Sequence, residues 1–297
     1  MSMLLQVVLP VLLIFSTGFI GQKIFKLNIK SVSTTALYLM TPPLIFRNFY
    51  NVKLDAKYLN ILIYSLALTI SIILIVMLIA RFRKFDSTKT SALIASTAFM
   101  NNGNYGAPLM LFAYGEVGFQ YAVAIMILHT IVMSTLGLYY TAKGRFSAKQ
   151  SFVSVLKMPV VHALFLGIIW QYLNLPLPQN IYNAISLVAD ASIPLVMIVL
   201  GMQLAEMKIF NVRWGVTSLG LFLRLIVSPL IAYLITLILP VEPLLAKVMI
   251  VLGAMPSGAI MVIYSIEYDC DPQLVSSITF IGTILSIFTL SVLLTIL

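Results

Sequence analysis

Asn101-Asn102-Gly103-Asn104-Tyr105-Gly106-Ala107-Pro108 is the stretch of this chain best equipped to hold a polar solute. Three amide side chains within four residues offer donors and acceptors together. Two glycines loosen the backbone around them, and Pro108 lacks an N–H and clashes with the preceding turn. A second stretch, Gly253-Ala254-Met255-Pro256-Ser257-Gly258-Ala259, has the same helix-breaking character. Half-helices separated by such breaks leave peptide groups unpaired, and their amino-terminal ends carry partial positive charge. An anionic group such as a carboxylate suits those ends. The solute-binding candidates are therefore Asn101, Asn102, Gly103, Asn104, Tyr105, Pro108, Pro256, Ser257 and Gly258. The competing reading is a pair of structural kinks filled by neighbouring side chains; the Asn cluster favours the site.

A further set could contact a solute or an ion. Pro43, next to Pro42, and Pro194 bend their helices, and Thr41 and Ser192 stand beside them. Kinked packing explains these prolines equally well. Asp190 could bind a proton or a cation. Arg224 sits about 11 residues into an apolar run, roughly 16 Å along a helix at 1.5 Å per residue. It must pair with a carboxylate or cap carbonyls, and it could attract an anion. His129 and His162 could relay protons, but hydrogen-bonded packing is the simpler role. No catalytic residues and no metal ligands are expected. The chain has no phosphate loop with Lys, no zinc-type His and Cys spacing and no local signature of a Ser-His-Asp set.

The elements that must position these residues are membrane helices. Of the 297 residues 61% are hydrophobic and only 9% charged, against roughly 25% charged in an ordinary soluble domain. The solvent that fits this composition is lipid. The net charge of +9 comes from short basic clusters between apolar runs. These read as topology signals and lipid contacts rather than a nucleic-acid surface, so no nucleic acid is expected as a partner. Ten apolar runs are long enough to span a bilayer: 3–25, 30–49, 57–80, 88–114, 117–141, 153–173, 180–205, 213–239, 243–266 and 273–297.

Thirteen of the eighteen basic residues fall in links after odd-numbered spans, and four in links after even-numbered ones. The positive-inside rule puts the first set in the cytoplasm and both termini outside a plasma membrane. Prolines repeat along the chain. Pro10 and Pro159 are 149 residues apart, Pro43 and Pro194 are 151 apart, and Pro108 and Pro256 are 148 apart. This divides the chain into a first five-helix repeat (1–141), a basic cytoplasmic link (142–152) and a second repeat (153–297). Five is odd, so the second copy enters the membrane inverted, an arrangement used for alternating access by secondary transporters. That membrane helices simply carry many prolines is the competing explanation.

The residues also resemble the auxin efflux carrier family in its short bacterial form. The marks are Leu9-Pro10-Val11, Leu37 to Leu44 with the Pro pair, and Asn101 to Pro108. Others are Ala191-Ser192-Ile193-Pro194-Leu195 leading to Gly201-Met202-Gln203-Leu204, then Arg224-Leu225 with Pro229, and Ala254-Met255-Pro256-Ser257. The resemblance covers nearly the whole chain. It implies an all-α polytopic membrane protein of ten helices, similar to the bile acid symporter and sodium–proton antiporter folds. The fourth and ninth helices would be broken near Pro108 and Pro256 and would cross between a scaffold and a moving domain. Relatives carry organic anions, including auxin in plants and malate or malonate in bacteria. The long central loop of the long plant members is missing here, which argues against auxin itself. The expectation is a non-enzymatic secondary carrier of small organic anions, without cofactor, coupled to a proton or sodium if to any ion, in contact with lipid and able to form a homodimer. A channel, a membrane sensor or assembly protein, and an intramembrane enzyme are the alternatives.

Overall fold

The computed structural model describes residues 4–52, 55–142, 153, 155–207 and 212–297. Among these residues the regular elements are helical, and the one piece of β-type pairing is an isolated bridge between Met100 and Ser257. A π-helical turn, Leu4–Val8, leads into α1 (Leu9–Phe25). The next segment has three parts: α2 (Ile29–Thr34), a π-helical turn (Thr35–Met40) and α3 (Thr41–Asn51). Then come α4 (Ala56–Arg83) and the short α5 (Ser87–Ala98). A π-helical turn, Asn102–Gly106, opens α6 (Ala107–Val132), and another, Met133–Gly137, joins it to α7 (Leu138–Thr141). The second half holds α8 (Pro159–Tyr172), α9 (Gln179–Glu206) and α10 (Trp214–Phe222). A π-helical turn, Leu223–Val227, connects α10 to α11 (Ser228–Ile238). The chain ends with α12 (Pro243–Gly253), α13 (Ala259–Glu267) and α14 (Pro272–Ile296).

Local signals in the sequence fix many of these ends. Asn28, Asp55 and Asp86 accept backbone N–H groups as N-caps of α2, α4 and α5, as short polar side chains do at helix starts. The Lys89 N–H holds the exposed Asp86 carboxyl below the usual carboxylate range. Pro159, Pro243 and Pro272 occupy first turns, where the missing N–H costs nothing.

Among the described residues six stretches are long and apolar enough to cross a membrane: Gln6–Phe25, Ala56–Arg83, Asn102–Thr141, Gln179–Glu206, Trp214–Ile238 and Pro272–Ile296. Hydropathy along the sequence leads one to expect ten. The difference arises where apolar runs are interrupted or doubled. The run at 88–114 breaks after Ala98, and that at 243–266 breaks after Gly253. The run at 30–49 is divided into three parts, and α8 is shorter than the run at 153–173. Conversely, Asn102–Thr141 is one stretch only by helix assignment. Gly115 within it has φ 65° and ψ −161°, a conformation open to glycine and strained for other residues. The chain folds back there, because Gly103 lies beside Met126, whereas 23 helical residues would separate them by roughly 34 Å.

Two groups of helices emerge from the packing. In one, α1 lies along α9, α8 along α3, and α3 against α9. Contacts within it are close. A methyl on Gly18 would run into the Ile198 backbone, one on Gly201 into the Phe15 carbonyl, and one on Gly167 into the Phe46 carbonyl. In the other, α5 packs on α4 and α14, and α12 on α6 and α11. The turn Asn102–Gly106 packs on α9 and so joins the groups near their middle. Most of the link at 142–152, including Lys143, Arg145 and Lys149, lies outside the described residues, as do Lys53 and Lys208.

Candidate functional site

The two interrupted helices meet at their breaks. After α5 the backbone turns extended at Phe99, with φ −116° and ψ 112°. After α12 the chain passes through Pro256, which cannot donate a helical hydrogen bond, and resumes a helix beyond Gly258. Met100 and Ser257 then face each other as an antiparallel bridge. Gly258 N donates to Phe99 O at 2.9 Å, and Asn101 N donates to Pro256 O at 2.8 Å. Each break thus supplies hydrogen bonds that the other lost, which is how unwound backbone becomes tolerable at membrane depth.

The remaining backbone groups find side chains. Met100 N donates to His129 Nε2 at 2.9 Å. An accepting Nε2 carries no proton, so the His129 ring is neutral with its proton on Nδ1. The Asn101 side chain accepts from Asn104 N at 3.2 Å and starts the next helical turn. Arg224 serves the carbonyl ends. Its guanidinium donates to Thr97 O, at the end of α5, at 2.6 Å, and to Gly253 O, at the end of α12. Ser228 Oγ accepts from the same guanidinium and donates to Gly253 O at 2.8 Å. Arg224 is fully buried, and among the described residues no carboxylate pairs with it.

Beside the crossing lies a cavity of about 220 Å³. Asn101, Asn102, Gly103 and Asn104 line it from one break, and Gly258 and Ala259 from the other. The amino-terminal ends of the helices that resume after both breaks therefore face it. Thr41, His129, Thr130 and Gln203 add polar groups, and Met100, Met126, Met133 and Met158 add soft apolar ones. From the crossing it extends toward Ser33, in the last turn of α2, Leu37, in the π-helical turn that follows, and Pro159, at the start of α8. Among the described residues no Lys, Arg, Asp or Glu lines it. Several buried polar atoms here lack a partner, including Asn101 Nδ2, Asn102 Oδ1, Ser257 Oγ and Gln203 Oε1. Asn101 is 6% exposed and Asn102 2%. Buried amide atoms left unpaired in this way each carry a desolvation cost of about 1–3 kcal/mol.

The structure gathers some of the residues expected from sequence and separates others. Asn101, Asn102, Gly103, Asn104, Thr41 and Gly258 line the cavity. Pro256 and Ser257 form the crossing without lining it. Tyr105 points elsewhere, with its ring edge-on to Phe15 at 5.0 Å. Pro108 lies beyond the crossing in the first turn of α6. The helix breaks earlier, at Phe99–Asn101, because the Asn101 cap and the pairing with Pro256 and Gly258 set that point. Pro43 is in the first turn of α3, and Pro194 is inside α9. The Thr41 and Ser192 hydroxyls are 3.4 Å apart, which pins α3 to α9. Asp190 is away from the cavity and paired with Arg47 at 2.7 Å. Arg224 lies behind the crossing rather than in the cavity. Sequence reasoning did not select Gln203, Thr130 or the four methionines for the site. The i, i+4 spacing of Met126 and Thr130 was the available signal.

A family model described as membrane transport protein matches the chain over residues 3–150 and 143–294. An uncharacterized transporter of Methanothermobacter thermautotrophicus is 30% identical over 291 residues, covering 96% of this chain and 95% of that protein. One from Methanocaldococcus jannaschii is 27% identical, with 97% and 96% covered. Auxin efflux carrier component 2 of Oryza sativa subsp. japonica is 24% identical over 138 residues, 45% of this chain and 22% of the plant protein.

Proposed function

The chain belongs to the membrane transport protein family that includes the auxin efflux carriers, and from that premise we propose that it is a secondary carrier of small organic anions working at the helix crossing. The observation that carries the reading is the convergence of two helix amino-terminal ends and of Asn101, Asn102 and Asn104 on one cavity. Helix amino-terminal ends attract negative charge. With no ionised side chain among the described residues of the lining, backbone dipoles and amides would hold the anion. That arrangement favours a carboxylate with one charge over one with two, within the mono- and dicarboxylate class. The cavity is smaller than the ~300–1,000 Å³ typical of drug-sized sites, so the solute is small.

The proposed architecture is ten membrane segments in two inverted repeats, 1–141 and 153–297. In this reading α5 with the first part of α6, and α12 with α13, each count as one broken span, and Gly115 separates two spans. The paired packing supports it: α1 on α9 and α8 on α3 are equivalent contacts under the repeat, with Gly18 and Gly167 at corresponding points. The group containing α1, α3, α8 and α9 is the scaffold, and the other group moves against it. By charge the links following α1, α4 and α9 are cytoplasmic. The cavity extends toward those ends, so this conformation is open inward. The chain is a non-enzymatic, multi-pass plasma membrane protein with both termini outside. A proton or sodium ion is its candidate coupling ion, and a homodimer its candidate assembly. Counterflow exchange in proteoliposomes with a panel of labelled mono- and dicarboxylates tests the claim. Saturable exchange of at least one anion supports it, and none across the panel overturns it.

A further inference from the structure

Four half-helix ends meet at the crossing, and they differ in sign. The ends that resume after the breaks, at Asn102 and Ala259, are amino-terminal and border the cavity. The ends of α5 and α12 are carboxy-terminal and turn their last carbonyls the other way. A carboxy-terminal end carries roughly half a negative charge with unpaired carbonyls. Two such ends buried together repel each other and would weaken the positive ends facing the solute. They need a cation between them, and the chain supplies one from a third helical segment.

We infer that Arg224 is the positioning residue of the crossing: its guanidinium bridges the carbonyl ends of both interrupted helices and provides the fixed positive charge behind the solute cavity. Three features support this. The guanidinium reaches Thr97 O at 2.6 Å and also Gly253 O, so one planar group joins two helices that are distant in sequence. Ser228 Oγ, one turn along from Arg224, accepts from the guanidinium and itself donates to Gly253 O at 2.8 Å, which fixes the fork in place. The surroundings admit little else: a methyl on Gly253 would meet the Ala232 side chain at 2.6 Å and Tyr64 Oη at 3.0 Å. Tyr64 Oη donates to Met249 O, a further carbonyl of the last turns of α12. Arg224 does not line the cavity, so it would act on an anion through the backbone it holds, as a preorganised charge in a poorly screened interior. The thermal tests below stand without the anion-carrier reading; the kinetic test rests on it.

Removing the side chain in Arg224→Ala leaves a planar, cation-sized space facing two carbonyls. Purified Arg224→Ala should melt lower than wild type by about 5 °C or more. Millimolar guanidinium chloride should raise its midpoint while leaving wild type unmoved. Urea, of the same shape but uncharged, should not. Equal responses of variant and wild type to guanidinium, or equal rescue by urea, would overturn the proposal. Should Arg224→Ala not fold, Arg224→Lys and Arg224→Gln decide it. Lys keeps the charge but loses the fork, whereas Gln keeps a donor and loses the charge. For an anion found by exchange, Lys should hold KM within about threefold of wild type and Gln should raise it about tenfold or more. Equal KM values for the two variants would reduce Arg224 to packing. A panel without any exchanged anion would count against the carrier reading and leave the guanidinium result to judge Arg224.

Discussion

Replacing His129 with Phe removes one hydrogen-bond acceptor at the centre of the molecule and little else. His129 is 2% exposed and Met100 3%, so the Met100 N–H has little access to water once its partner is lost. The Phe99 ring lies 6.2 Å from the His129 ring, tilted by 44°, and a Phe at 129 keeps that aromatic contact. The cost is therefore that of one buried, unsatisfied backbone donor, about 1–3 kcal/mol. At roughly 2–4 °C per kcal/mol for a large chain, the midpoint should fall by roughly 2–12 °C. His129→Ala adds a cavity and should cost more, about 2–5 kcal/mol. Temperature-ramped tryptophan fluorescence of the purified protein in detergent reads both, through Trp170 and Trp214. A His129→Phe midpoint equal to wild type, with His129→Ala lower, would mean that the imidazole only fills space and that the crossing does not depend on its bond to Met100.

Gly201→Ala places a methyl on the Phe15 carbonyl, whereas a methyl on Gly21 meets nothing within 4 Å; overpacking should cost the first about 1–3 kcal/mol, and equal melting of the two variants would refute the close α1–α9 contact. At the end of α12 opposite the crossing, the Tyr121 hydroxyl and Lys57 hold the Glu242 carboxyl below its usual range. The stability it adds is full above the unfolded-state pKa and is lost as pH falls through the folded one. Being partly exposed, the group contributes less than about 1 kcal/mol. Glu242→Gln should lower the midpoint slightly at neutral pH and converge with wild type at acidic pH, and a constant offset across pH would contradict this. A cysteine added after Leu297, with Cys270 replaced by Ser, should react with an impermeant maleimide from outside intact cells; labelling only after lysis would reverse the assigned orientation.

Much of the fold was legible because lipid is an unforgiving solvent for peptide groups. Asn101 to Pro108 could not run as an unbroken helix, and Gly253 to Gly258 repeated the problem. The position of the break was less legible. Pro108 drew attention as the strongest helix breaker, yet it serves as a first-turn proline of α6. The break itself is set by pairing with Pro256 and Gly258, some 155 residues away, which local sequence does not encode. Arg224 was readable as a buried cation needing carbonyls or a carboxylate. Which carbonyls emerged only when α5 and α12 converged. His129 looked like a packing residue, and its bond to Met100 depends on the fold-back at Gly115. Asp190 looked available for an ion because Arg47, 143 residues earlier, is its neighbour only through α3 and α9.

The central claim, that an organic anion binds at the crossing, is tested most directly by exchange kinetics of Asn101→Ala and Asn102→Ala in proteoliposomes, compared with wild type for the anion that wild type exchanges best. Asn102→Ala should melt near wild type, whereas Asn101→Ala also loses the cap on Asn104 N and should be less stable by about 1 kcal/mol. Each should raise KM by about tenfold, as expected for loss of a hydrogen bond worth roughly 1.5 kcal/mol to a charged group. Wild-type KM in both variants would contradict the account and move the solute away from the crossing.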